Sequence, residues 1–351
     1  MSSERDKARY PFTSEAGEFV KSLNIGVDDL ASEPYNLILK RAEQRIRQAL
    51  FKPDELSPQE QDPNIEIPSF PTAIMLMAFV DSENAKRRYA VAESKSFSKK
   101  LKDEEPEKVL EIAKGTFGWR IKHPDERTGT VDFLLHFREY LTNSRNMNEL
   151  KWKLTNRYLK SGYIQLTKDE TARLLEEEIQ KKILEKTKHP KVEPPKALQE
   201  ILSEINGLAS VRSASQDLVQ TFSIEVADMP PCIKRMIDTL SSGGRLSHIG
   251  RFTLTSFLIN AGATEKDVMD FFKTASDFDE GKTRYQVEHI SGGRGGKTRY
   301  TPPKCDTLRT HGLCVGPDEL CKRVKHPLSY YKRKRSLLKR SVAKPAQAPD
   351  I

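Results

Sequence analysis

A mainly α-helical chain in two parts is what this sequence predicts: a helical N-terminal domain with a small β element, then a helical C-terminal domain pinned through four cysteines. Three observations carry that expectation. Apolar residues recur at helical spacing, between capping residues, over most of the chain. The stretch Lys188-His189-Pro190-Lys191-Val192-Glu193-Pro194-Pro195-Lys196 breaks the pattern and reads as a semi-rigid linker. Cys232, Cys305, Cys314 and Cys321 all lie beyond it. The expected domains are therefore residues 1–187, a linker at 188–198, a second domain at 199–331 and a basic tail at 332–351. A chain of 351 residues suits two cores of ordinary size.

Taken in order, the first dozen residues read as disordered. A helix is predicted from near Pro34 to Phe51, capped by Ser32, with Leu37, Ile38, Ala42, Ile46, Ala49 and Leu50 as its apolar positions. Ser57 to Pro68 is polar and proline-rich and reads as a loop. Ser69-Phe70-Pro71 then opens a helix that buries Ala73 to Val80. Further helices are expected at Ala85–Glu93 and Pro106–Lys114. Trp119–Lys122 and Tyr163–Leu166 read as short strands, and Asp132–Leu141 as a segment that begins extended and ends helical. Trp152–Leu159 reads as helix, as does the charged stretch Lys168–Lys186. Beyond the linker, Met229-Pro230-Pro231-Cys232 starts a helix, with proline where no amide donor is needed. Leu254 to Asn260 is apolar, and Thr264 caps a helix carrying Val268, Met269, Phe271 and Phe272. From Ser276 to Pro327 regular structure is expected to thin, and after Tyr331 the basic, Ala-Pro-rich tail reads as disordered.

Composition narrows the function. The chain is 36% hydrophobic and 31% charged. Its longest apolar run, Ala73–Val80, is far too short to span a membrane. No apolar segment follows Met1–Lys7, so no secretory signal is read, and the chain is placed in the cytoplasm. Reduced cysteines there point to a metal site before a disulfide framework. The net charge of +9 is uneven. From Ile201 onward there are 24 Lys and Arg against 16 Asp and Glu, which leaves 35 against 34 in the first 200 residues. That asymmetry points to phosphate contact by the C-terminal part.

The cysteines are separated by 72, 8 and 6 residues. No Cys-x-x-Cys pair is present, and the spacing alone leaves zinc and a four-iron cluster equally open. Around them lies a basic, aromatic and glycine-rich set. Arg245, His248 and Arg251 fall in a glycine-punctuated stretch. One phrase occurs twice, Lys282-Thr283-Arg284-Tyr285 and Lys297-Thr298-Arg299-Tyr300, the second after Ser291-Gly292-Gly293-Arg294-Gly295-Gly296. Arginine forks match phosphate oxygens, and tyrosine beside a cation offers a stacking face to an unpaired base.

Read in order, Met229-Pro-Pro-Cys232, His248-Ile-Gly-Arg251-Phe252, Lys282-Thr-Arg-Tyr285-Gln286-Val287-Glu288-His289 and Lys297-Thr-Arg-Tyr300-Thr301-Pro302-Pro303-Lys304-Cys305 closely resemble the C-terminal domain of the large subunit of archaeal and eukaryotic DNA primase. Ser69-Phe70-Pro71, Arg88-Tyr89-Ala90 with Glu93, Phe133 with His136-Phe137 and Tyr140-Leu141, and Trp152-Lys153-Leu154 with Asn156-Arg157 resemble its N-terminal part in the archaeal form. The resemblance implies a [4Fe-4S] cluster held by Cys232, Cys305, Cys314 and Cys321. It implies a heterodimer in which the N-terminal domain docks a catalytic small subunit, with a replicative polymerase as a further partner and a nucleoid-associated place in DNA replication. It implies that the C-terminal domain binds template DNA and the initiating nucleotide, and later the 5′-triphosphate end of the RNA primer. By position His248, Arg251, Gln286 and His289 match template and triphosphate contacts, Lys297 and Arg299 fall in the basic loop, and Tyr285 and Tyr300 flank it. Ser247 and Ile259 depart from the eukaryotic pattern, which has arginine and lysine there; Arg245 or Arg294 offers a replacement.

Three rival readings stand beside this one. Asp277-Phe278-Asp279 with the Ser291–Gly296 run superficially resembles the primase small subunit, whose paired aspartates hold two metals for nucleotidyl transfer. The pair, however, sits in a polar, turn-like stretch rather than on a strand. The second rival is a zinc-pinned nucleic-acid-binding protein without a polymerase partner, and the third is a scaffold alone, with no preference for a 5′-triphosphate primer end.

Overall fold

A computed structural model of the chain describes residues 3–33, 35–53, 56, 62–125, 131–147, 149–188, 193–213, 226–241, 244–273, 275, 278–294 and 298–342. It divides into two compact units, Met1–Ser213 and Ala214–Ile351, each mostly helical.

The first unit opens with a helix where disorder was expected. Ser3 and Asp6 form a reciprocal capping box that starts α1 (Glu4–Arg9). Tyr10 then turns inward, and its hydroxyl donates to Glu104 Oε1 at 2.8 Å. Helices α2 (Ser14–Ser22) and α3 (Asn36–Phe51) follow. Ser32 serves α3 through its carbonyl, which accepts from Tyr35 and Asn36, rather than through its side chain; Pro34 lies outside the described residues. The loop expected up to Pro68 is shorter. α4 spans Pro63–Ala78 because Asp62 accepts from the Asn64 amide at 2.9 Å and Pro63 occupies the first turn, where a missing donor is harmless. The internal prolines Pro68 and Pro71 free carbonyls within the helix. Ser69 and Thr72 hydroxyls donate to the carbonyls of Glu66 and Pro68 at 2.7 and 2.9 Å.

α5 (Glu83–Asp103) runs well past the predicted Glu93, and α6 (Pro106–Phe117) ends at Gly118, which is left-handed at φ 66°. The strands β1 (Ile121–Lys122), β2 (Phe133–His136), β3 (Leu159–Lys160) and β4 (Tyr163–Leu166) form an antiparallel sheet in the order β1-β2-β4-β3. α7 (Phe137–Ser144) continues directly from β2, as the extended-then-helical pattern predicts. The helix expected at Trp152–Leu159 does not form. Trp152 is drawn into the core, the Tyr140 hydroxyl donates to its carbonyl at 2.9 Å, and the chain makes two 3-10 turns before entering β3. α8 (Lys168–Lys186) has the predicted bounds, fixed by a Thr167–Glu170 capping box.

α9 (Gln199–Ser213) also belongs to this unit. Its Leu202, Ile205 and Ala209 join the first core, and Asn206 Oδ1 accepts from the Asp81 amide at 3.2 Å. The division between units therefore falls after Ser213, beyond the expected linker, because the chain carries apolar residues to bury once the prolines end. At the centre of α3, α4 and α5 lies an ionic network. Arg41 and Arg45 both donate to Glu66, and Arg45 also forks onto Glu93 at 2.9 Å through each nitrogen. All four side chains are buried.

The second unit contains α10 (Pro231–Ser241), α11 (His248–Ala261), α12 (Glu265–Phe272), α13 (Glu280–Ser291), α14 (Cys305–Thr310) and α15 (Pro327–Val342). Its core gathers Met229, Ile233, Leu254, Phe257, Val268 and Phe271. Regular structure persists where thinning was expected. Asp279 caps α13 by accepting from the Lys282 amide at 2.8 Å. α15 likewise replaces the start of the expected disordered tail, because Tyr330 and Tyr331 are buried and root it; residues 343–351 lie outside the described set. No helix among the described residues is long and apolar enough to cross a membrane.

Candidate metal centre and nucleic-acid interface

The four thiols arrive from separate elements. Cys232 is the second residue of α10, where Pro231 begins the helix. Cys305 begins α14, its amide donating to the Lys325 carbonyl at 3.0 Å. Cys314 follows the end of that helix, which Gly312 reverses at φ 68° while the Leu313 amide donates back to Leu308 at 2.8 Å. Cys321 sits on a 3-10 turn held by Asp318, which accepts from the Cys321 amide at 2.9 Å and from the Tyr330 hydroxyl at 2.5 Å. All four line one cavity of about 130 Å³, together with Pro230, Pro317, Val324 and Tyr330. Burial first, then the other three thiols, pushes the Cys232 thiol up to about 12. Burial pushes Cys321 up to about 11. Such thiols, crowded in an apolar pocket, ionise when a cation shares the pocket. Among the described residues no three His, Cys, Asp or Glu side chains are arranged to hold a single metal ion.

The second feature is a row of rings on the surface of the same unit. Tyr285 and His289, one helical turn apart on α13, stack with centroids 6.2 Å apart and planes 1° apart. His289 meets Tyr300 at 5.3 Å, and Tyr300 meets Phe252 of α11 edge-on at 5.9 Å. Tyr285 is 56% exposed and Tyr300 37% exposed. The Tyr300 segment is pinned at both faces. Its amide donates to the Ile290 carbonyl at 3.0 Å, and its carbonyl accepts from Asn260 at 2.8 Å. The Arg299 guanidinium donates to the carbonyl of Ile259, so this arginine also holds the loop to α11.

Cations flank the row. Arg294 lies over the Tyr285 ring at 5.6 Å and pairs with Glu288 at 3.1 Å. His248 and Arg251 occupy the first turn of α11, which Ser247 caps by accepting from the Gly250 amide at 3.2 Å. His248 is exposed, and the Arg251 guanidinium rests on the Phe272 ring at 5.5 Å. Helical spacing sets His248, Arg251 and Phe252 on neighbouring positions of one face. Phe252 thus joins that turn to the Tyr300–His289–Tyr285 row.

Of the sequence-selected residues, Tyr285, His289 and Tyr300 come together, with His248 and Arg251 next to them through Phe252. Gln286 is half-buried on α13 beside Tyr285. Lys297 lies outside the described residues, as do Gly295 and Gly296. The glycine run begins as a helix stop: Gly292 is left-handed at φ 89° and ends α13. Phe252 and Asn260 were not singled out from sequence. Phe252 follows Arg251 and lies four residues after His248, which is the signal that could have found it. Asp279 is engaged as a helix cap and pairs with Lys282 Nζ at 2.7 Å, while Asp277 lies outside the described residues.

Fold and site together define a two-unit helical protein whose C-terminal unit collects four thiols at one cavity and exposes a cation-flanked row of rings. Residues 20–190 match the family model described as the eukaryotic and archaeal DNA primase large subunit N-terminal domain, and residues 223–344 match that of its C-terminal domain. The chain belongs to the eukaryotic and archaeal DNA primase large-subunit family. It is 36% identical over 332 residues to the DNA primase large subunit PriL of Methanosarcina acetivorans, covering 93% of this chain and 87% of that protein. Against PriL of Methanococcoides burtonii it is 37% identical over 341 residues, 94% and 92% of the two chains. Against PriL of Halobacterium salinarum it is 30% identical over 344 residues, 93% and 92%.

Proposed function

We propose that this chain is the regulatory large subunit of a DNA primase, acting in a heterodimer whose small subunit carries out nucleotide joining. In this reading the C-terminal unit binds template DNA and the initiating nucleotide, then the 5′-triphosphate end of the growing RNA primer. The observation that carries it is the continuous surface from His248 and Arg251 through Phe252 to Tyr300, His289 and Tyr285. Rings present π-faces to unpaired bases, and guanidinium and imidazole groups beside them present donors to phosphate oxygens. Holding two nucleotides in register on such a surface turns an improbable encounter into an ordered one. Lys297, Arg299 and Gln286 complete the proposed contact set, with Arg299 acting partly by fixing the loop.

Cys232, Cys305, Cys314 and Cys321 are the proposed ligands of a [4Fe-4S] cluster. Their fit is supported by the shared, largely apolar cavity of about 130 Å³ on which all four thiols converge. When bound, the cluster ties α10 to α14 and the turns around Cys314 and Cys321. The chain's own residues then place the nucleic-acid face on the unit so fixed.

Docking of the small subunit is assigned to the first unit. Five of the eleven large apolar side chains exposed among the described residues fall between positions 137 and 159: Phe137, Leu141, Leu150, Tyr158 and Leu159. Tyr158 is 59% exposed, and Leu159 lies on β3, at the edge of the sheet. Exposed apolar side chains gathered in one stretch of chain that ends on a sheet edge suit a stable protein partner. Asp279 supports the assignment of catalysis to that partner, since its carboxylate is used to cap a helix.

Co-expression with a candidate small subunit tests the proposal. The expected result is copurification and stimulated de novo primer synthesis, with both lost on Tyr158→Ala combined with Leu159→Asp. A complex that forms yet synthesises no more primer than the small subunit alone would contradict it.

A further inference from the structure

The basic segment after Tyr331 belongs to no part of the surface described above, yet it is held as a helix on the same unit. α15 is rooted at several points. His326 Nδ1 accepts from the Leu328 amide at 3.2 Å, and its Nε2 meets the Pro302 carbonyl at 2.9 Å. One neutral tautomer satisfies both, so His326 caps the helix and pins it to the chain before Cys305. The Tyr330 hydroxyl donates to Asp318 at 2.5 Å, and the buried Tyr331 ring meets Phe257 edge-on at 5.7 Å. Beyond this root come Lys332, Arg333, Lys334 and Arg335, three of them exposed and Lys334 half-buried.

No Asp or Glu occurs between Glu319 and Asp350, so this segment carries no acid of its own. Among the described residues no carboxylate forms an ion pair with Lys332, Arg333, Lys334 or Arg335. Arg335 rests over the Tyr331 ring at 5.5 Å. Four neighbouring cations on a helix repel one another, and these lie in the interior of α15, away from the last turn where the helix dipole would favour positive charge. A polyanion laid along them would relieve the rest and release counterions. The segment offers no ring for base stacking, since Tyr330 and Tyr331 are both buried.

We propose that α15 is a second nucleic-acid contact: an arm on the C-terminal unit that binds the phosphate backbone of single-stranded template DNA, without regard to sequence. This rests on the reading that the unit binds nucleic acid, and it adds a contact that does not distinguish primer ends. Its place is before and during initiation, when the single-stranded template is the strand available and the ring-bearing surface has yet to be filled. The arm keeps the template attached while the surface of His248, Arg251 and Tyr300 selects the nucleotide.

The test uses the purified full-length complex and fluorescent single-stranded DNA, titrated by anisotropy at several salt concentrations. Replacing Lys332, Arg333 and Lys334 by Gln, with Arg335 kept to protect its contact on Tyr331, should weaken binding and lower the slope of log K against log salt by about 2, at about 0.7 per phosphate contact. Lys332→Arg with Lys334→Arg should retain both. The preference for a 5′-triphosphate primer end should be the same in all variants. An unchanged affinity and salt slope in the triple variant overturns the arm while leaving the end-binding reading intact. A loss confined to duplex DNA, or a loss of binding to anionic vesicles with single-stranded DNA unaffected, overturns it as well. Loss of the 5′-triphosphate preference along with the salt slope also counts against it, since the arm would then be part of the end-binding surface.

Discussion

Replacing Tyr285 by alanine isolates what the row of rings contributes. The side chain is 56% exposed, parallel to His289 at 6.2 Å and beneath Arg294 at 5.6 Å. Little of it supports the fold, so stability should stay within about 0.5 kcal/mol of the parent. A base stacked on an aromatic side chain is worth about 1–3 kcal/mol, or roughly 5- to 140-fold in Kd. Tyr285→Ala should therefore weaken binding of single-stranded template within that range, and Tyr285→Phe should restore most of it, because the face and not the hydroxyl is used. No charge is removed, so the salt slope should not change. Anisotropy titrations of the complex at several salt concentrations, with thermal melts as the control, read all three quantities. An alanine variant that binds within twofold of the parent would refute the stacking role. So would weaker binding accompanied by a changed salt slope, which would mean that Tyr285 acts only by positioning Arg294.

Three further outcomes follow from particular contacts. Glu66→Ala leaves two buried guanidinium groups, Arg41 and Arg45, without their shared carboxylate, and should cost about 3–5 kcal/mol in denaturant unfolding of the first unit; a change below about 1 kcal/mol would contradict the network. Burial alone would raise the Glu170 carboxyl, but the Arg157 fork at 2.7 Å outweighs it and holds the group below the usual carboxylate range. A folded pKa below the unfolded value means stability that is present above the unfolded pKa and is lost as pH falls through the folded one; Glu170→Gln should flatten that acid-side loss in thermal melts across pH. Anaerobically purified protein should absorb in the visible and contain iron and acid-labile sulfide, and Cys232→Ser should lose them and lower the melting temperature of the second unit. Colourless protein with stoichiometric zinc would sink the cluster.

Much of the fold was legible because long helices declare themselves twice, by periodicity and by caps. α8 has Thr167 and Glu170 at its start and apolar positions along its length, and its predicted bounds are the observed ones. Local pattern failed where a distant partner decided the conformation. Trp152 looks helical until Tyr140 takes its carbonyl and the core takes its ring. The start of α4 was hidden because proline reads as a breaker, although at the first turn it is neutral. α9 follows the prolines yet packs on the first core, because an amphipathic helix does not state which core it faces; Leu202 and Ile205 do so only in three dimensions.

At the site, Tyr285, His289 and Tyr300 could be selected from sequence because they occupy repeated or resembling phrases. Their order along one surface could not, since Tyr300 reaches His289 only through the pairing of its amide with Ile290. Phe252 stands in the sequence only as the end of the Arg251 phrase, with no role of its own, and it proves to be the ring that joins the Arg251 turn to the row. The four cysteines were recognisable as a group, but their convergence on one cavity depends on the turns at Gly312 and Asp318.

The central claim is that this chain holds the start of a primer, and one equilibrium measurement addresses it directly. The purified complex is titrated with two template–primer duplexes identical except for a 5′-triphosphate or a 5′-hydroxyl on the primer. Tighter binding of the triphosphate end, reduced on Arg251→Ala and weakened by added salt, is the predicted result. Equal affinity for the two ends at every salt concentration would contradict it.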